Sequence, residues 1–106
     1  MFSESGQDIR LSGETGEEYE GKIYSDKNAT SSLSGKAIAC LSNSTLENGN
    51  WHHRMNSIYN TDNITEVLKH FSNRDDISHL ILLPYESIPN HNKDHVDNLI
   101  RYHLHR

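Results

Sequence analysis

Ile77–Tyr85 reads ISHLILLPY, and the reading of its middle decides the fold. Leu80, Ile81, Leu82 and Leu83 form the only four-residue aliphatic run in the chain. A strand with one wet face alternates apolar with polar residues, whereas a strand covered on both faces reads as an unbroken apolar run. The run is therefore expected to be a central strand. Helix-like patterns flank it, Ile64–Phe71 before and Val96–Leu104 after.

Upstream, Ile64, Val67, Leu68 and Phe71 recur at the spacing of one helix face. Asn63 with Glu66 three residues on resembles a capping box. The connection from Tyr59 to Ile77 has the length of a crossover containing one helix, which predicts parallel strands and a right-handed connection. Downstream, Pro84 and Pro89 exclude regular structure over Pro84–Pro89. Asn90 or Asn92 can cap a second helix with the stripe Val96, Leu99, Ile100, His103 and Leu104.

Toward the N-terminus, Asp8–Ser12 and Glu17–Ser25 both alternate and are joined by Gly13-Glu14-Thr15-Gly16. That pattern predicts an antiparallel hairpin with one solvated face. Lys36–Leu41 is expected as a short apolar strand, Ser42–Asn50 as a loop with a turn at Asn48-Gly49, and Arg54–Tyr59 as a further strand. The predicted fold is α+β: one small domain over 1–106, in the order β-β-β-β-α-β-α. It has a mixed sheet, the N-terminal antiparallel hairpin and two helices packed on the sheet.

Leu, Ile, Val and Phe make up 23 of 106 residues, which predicts a small core and leaves room for a second copy in a homodimer. The formal net charge of −5 resides in residues 1–26, and all eight histidines lie between His52 and His105. No cluster of Lys and Arg is present, which disfavours nucleic acid as a partner. Cys40 stands alone in an apolar segment and is expected to be a small core residue, not a nucleophile. The start of the chain lacks the basic and apolar regions of a signal peptide, and no apolar run approaches membrane-spanning length, so a cytoplasmic location is expected.

Ligands of sheets with parallel strands gather at the carboxyl ends of the strands. Those ends would offer Asp62, Tyr85, Glu86, Ser87 and His91 as a ligand site. His91 and His95 are spaced as zinc ligands can be on a helix, but a third ligand at a diagnostic spacing is lacking. No metal or other cofactor is therefore expected. His52 and His53 would point to opposite faces of a strand. GxSxG, GxGxxG and the phosphate-binding loop motif are absent.

The leading expectation is a soluble noncatalytic interaction protein, such as an inhibitor, an immunity-type partner or a regulatory adaptor. It would present Glu17, Glu18 and Glu20 to a basic protein partner. The alternative is a small hydrolase or nuclease using His and carboxylates, with or without metal, at Asn60–Asn63 and Tyr85–His95. A pocket with two imidazoles near a carboxylate would favour the enzyme.

Overall fold

A computed structural model describes residues 6–12, 18–28, 30 and 33–87. Its elements are β1 (Gln7–Ser12), β2 (Glu18–Tyr24), β3 (Ala37–Glu47), β4 (Asn50–Thr61), α1 (Thr65–Asn73) and β5 (His79–Pro84), followed by a 3₁₀ turn over Tyr85–Ser87. The strands form a five-stranded sheet in the order β1-β2-β5-β3-β4.

The aliphatic run is the central strand. Its side chains alternate between two apolar clusters. Leu80 and Leu82 join Tyr24, Ala37, Ala39 and Leu41 beneath Ile64, at the N-cap of α1, and the helix residues Val67, Leu68 and Phe71. Ile81 and Leu83 point the other way, into a cluster with Ile9, Leu11, Tyr19, Ile23, Ile38 and Cys40. No described element lies over this second face. All four residues of the run are fully buried.

The sheet is not mixed. Every strand pairing is antiparallel, β5 with both β2 and β3 included. Strands β4 and β5 do run in the same direction, because both are antiparallel to β3, but β3 lies between them. The long apolar run reports cover on both faces, and that cover does not require a parallel neighbour. The described residues hold one α-helix; the second helix expected over Val96–Leu104 lies outside them.

The stripe of α1 is buried as its spacing predicts. Its entry differs in detail. Asn63 Oδ1 accepts from the Thr65 N–H at 3.0 Å and from Thr65 Oγ1 at 2.7 Å. The Asn63 N–H donates to Thr61 Oγ1, so the expected reciprocal bond to Glu66 is replaced.

The largest departure is at β3 and β4. The expected loop over Ser42–Asn50 is strand as far as Glu47, and β4 begins at Asn50 instead of Arg54. Only Asn48 and Gly49 turn the chain, with φ of 52° and 81°. Positive φ at both central residues is the type I′ hairpin turn, whose twist matches that of the strands. Ser, Asn and Thr gave Ser42–Glu47 a loop-like composition, yet Ser42 and Ser44 are buried. Asn56 is a bulge: Leu41 faces Ser57 while Ser42 faces Met55. The extra residue reverses the alternation of β4. Trp51 and Met55 therefore pack on the second cluster, and Tyr59 packs on the first.

Gly21 of β2 lies against β5, where a Cβ would collide with the Leu82 carbonyl oxygen and the Leu83 side chain. Close approach of the two backbones requires glycine here.

Because the faces of β5 are buried independently, Leu82→Ala and Ile81→Ala should each cost about 2–5 kcal/mol in denaturant melts. A neutral effect of either one would mean that its face is wet. Gly21→Ala should cost about 1–3 kcal/mol, the range for inserting a group into a filled space.

Candidate functional site

Strand β3 outruns the sheet. It pairs with β5 only over Ala37–Ser42, and Asn43–Glu47 continue with β4 as a two-stranded ribbon. Side chains extend the missing pairing. Asn43 Nδ2 donates to the Asp76 carbonyl at 2.9 Å, and Asn43 Oδ1 accepts from the Ser78 N–H at 3.0 Å. Ser78 Oγ accepts from the Ser44 N–H at 3.2 Å. A two-stranded ribbon is marginal in water alone, and these bonds tie its base to β5.

Above the second sheet face, small residues on β3 make room for large ones on either side. Ser42 and Ser44 leave a gap across which Trp51 of β4 and His79 of β5 meet edge to face, with ring centroids 5.6 Å apart. Their strands are two sheet spacings apart, ~10 Å, so the rings must reach over the serines. His53 stacks on the indole at 5.9 Å and 11°. Ser42 Oγ and Ser44 Oγ are 2.8 Å apart, and Ser44 Oγ lies 2.7 Å from His53 Nδ1. Ser78 Oγ holds His79 Nδ1 at 2.7 Å. Beside this group is a cavity of about 260 Å³ lined by Trp51 and His79 with Gln7, Ile23, Ser25 and Asp26.

Burial pushes the His79 pKa below its ordinary value, which keeps the ring neutral at pH 7. Burial also pushes the Cys40 thiol up to about 12, so Cys40 is a core residue and not a nucleophile at neutral pH.

The Ser44–His53 distance is that of a nucleophile and its base. The surroundings oppose that role. Ser44 is buried and shares its hydroxyl with Ser42. Both imidazoles give Nδ1 to a serine hydroxyl, the position at which a carboxylate orients a catalytic histidine. The network holds two rings against Trp51 and does not expose a reactive oxygen.

At the opposite end of the sheet, two of the expected ligand-site residues come together through a third that the sequence had not singled out. Lys36 Nζ lies 3.1 Å from Asp62 Oδ1 and 4.9 Å from the centroid of the Tyr85 ring. Lys36 leads into β3, which runs between β4 and β5. Glu86 is exposed on the 3₁₀ turn, which also contains Ser87. His91 and His95 lie outside the described residues. Among the described residues no group of three or more His, Cys, Asp or Glu is placed to hold a metal. No described helix is long and apolar enough to cross a membrane.

The acidic hairpin is a mixed-charge surface where it is described. Arg10 lies 3.3 Å from Glu18 and 3.0 Å from Glu20, and Lys22 reaches Asp8 at 2.6 Å. These exposed pairs contribute about 0–1 kcal/mol each. Glu17 lies outside the described residues.

His52 and His53 do point to opposite faces, His52 exposed and His53 half-buried. The Trp51 cluster left one signal in the sequence, Ser42 and Ser44 two apart on one side of a strand. It is legible only once the strand is extended past Leu41. Compared with known proteins, the chain matches no family model, no curated protein and no solved structure.

The depressed pKa of His79 has a definite sign in stability. Between its folded pKa and about 6.5, the unfolded state binds more protons than the folded one. Stability from this group is therefore complete above pH 6.5 and is lost as pH falls toward the folded pKa. In denaturant melts at pH 7.5 and 5.5, His79→Asn should lose less stability on acidification than the wild type. An equal loss in both proteins would remove His79 as the source.

Proposed function

We propose that this chain is a small noncatalytic interaction protein, an inhibitor, immunity-type partner or regulatory adaptor, that meets a protein partner through its β3–β4 ribbon. One observation carries the reading. Leu46 is 54% exposed, the one exposed large hydrophobic side chain among the described residues, and it sits directly across from Trp51 at the end of the ribbon. An isolated exposed leucine is ordinary. A leucine paired with a half-buried tryptophan on a projecting edge forms an apolar patch around a tryptophan, a residue type enriched at the centres of interfaces.

The outer edge of β4 supports the same reading. Nothing described pairs with it over the 12 residues Asn50–Thr61. Natural edges are blunted by proline, by charge or by bulges. This one has no proline, one arginine and the Asn56 bulge. A partner strand can add to it through backbone hydrogen bonds while Leu46 and Trp51 supply side-chain contacts. The acidic excess of residues 1–26, with Glu17, Glu18 and Glu20 at its centre, steers a basic partner toward the molecule.

Leu46→Asp tests the reading. Its melting temperature should stay near that of the wild type, because exposed substitutions fall within about 0.5 kcal/mol. Affinity capture from the native host should retain a stoichiometric partner with the wild type. That partner should be lost with Leu46→Asp, since a hot-spot residue is worth at least about 2 kcal/mol of binding. Equal capture by both proteins would overturn the ribbon as the contact surface.

A further inference from the structure

We infer that the cavity beside Trp51 and His79 is a socket for an organic cation, and that it receives a Lys or Arg side chain of the partner; this second clause rests on the interaction reading above. Size comes first. At about 260 Å³ the cavity is below the roughly 300–1,000 Å³ of drug-sized ligand sites and suits a single side chain.

Charge comes second. Among the described residues, Asp26 is the one acidic residue in the lining, and no Lys or Arg joins it. The cation next to it in sequence is turned elsewhere: Lys27 Nζ donates to the Arg74 carbonyl and lies 5.3 Å from the centroid of the Phe71 ring. Asp26 is itself held in place, since its Oδ1 accepts from the Asn28 N–H at 2.9 Å. That bond leaves Oδ2 to receive a donor. His79 stays neutral at pH 7 and adds no opposing charge.

Shape comes third. Ammonium and guanidinium groups are attracted to the π-surface of tryptophan. Trp51 is a fixed wall, steadied by His53 on its stack and by His79 at its edge. A carboxylate, an indole packed against two imidazoles and a polar rim of Gln7 and Ser25 form the set that recognises a planar or tetrahedral nitrogen cation at the end of an apolar stem.

The chain contains one tryptophan, so its fluorescence reports on this site alone. The probes are N-acetyl-arginine methylamide and N-acetyl-lysine methylamide, with the citrulline analogue as the uncharged control. At low salt, the basic probes should give a saturable change in Trp51 emission, and citrulline should give none. Asp26→Asn keeps the oxygen that accepts from Asn28 and should weaken basic-probe binding about tenfold, the low end for a hydrogen bond to a charged group. An excess of the arginine probe should also displace the captured partner. Absence of a saturable signal, or an equal response to citrulline, would overturn the socket. Probe binding without displacement would show a site for free amines and overturn the partner side chain as its occupant. Failure of the probes while Leu46→Asp still abolishes capture would leave the interaction reading intact and remove only the socket.

Discussion

Strand β5 has no side facing water, and the rest of the molecule follows from that. Two residues of the run point into each cluster, and both of its edges are taken by antiparallel partners. Burying an aliphatic side chain of this size contributes about 1.5–3 kcal/mol, while whole domains are stable by only about 5–15 kcal/mol. A strand with four such residues cannot lie at an edge or bare a face. One consequence is the closeness of β2, whose Gly21 lets its backbone come against Leu82. Another is the position of α1, whose Val67, Leu68 and Phe71, with Ile64 at its N-cap, close over Leu80 and Leu82.

Apolar pattern made much of this fold legible. The β1–β2 hairpin, the central place of Leu80–Leu83 and the stripe of α1 each buried an unbroken or periodic set of aliphatic side chains. Strand adjacency was not legible, because β4 and β5 run in the same direction and are linked by a helix yet are separated by β3. Helix-containing connections between codirectional strands do not require the strands to touch. The second half of β3 was illegible for a different reason. Ser42, Asn43 and Ser44 look like a loop, but their hydroxyl and amide groups are paired with one another and with Asp76, Ser78 and His53. Composition records that a residue is polar; it does not record that a partner is waiting 35 positions away.

The two ends of the sheet show the same uneven legibility. At the Lys36 end, Asp62 and Tyr85 were foreseen as neighbours, because codirectional strands place their carboxyl ends together even with a third strand between. Lys36 was not foreseen, because it precedes that intervening strand. At the other end, Trp51, His53 and His79 come from two strands, and their meeting depends on serines beneath them. Large rings over small neighbours form a wall only where the register is fixed. The bulge at Asn56 sets which residues of β4 share that face.

The strand order also imposes a schedule. Strands β1 and β2 form one hairpin, β3 and β4 another, and the strand that joins them is the last of the five in the chain. Until residues 79–84 are available, each hairpin keeps an open inner edge. Local pairing can form early, but the contacts that make one core of two halves span most of the described sequence. Such long-range closure slows folding. During synthesis, the nascent chain must carry two unpaired hairpins for as long as the ribosome takes to reach β5. Unpaired strand edges of this kind are where misassembly begins.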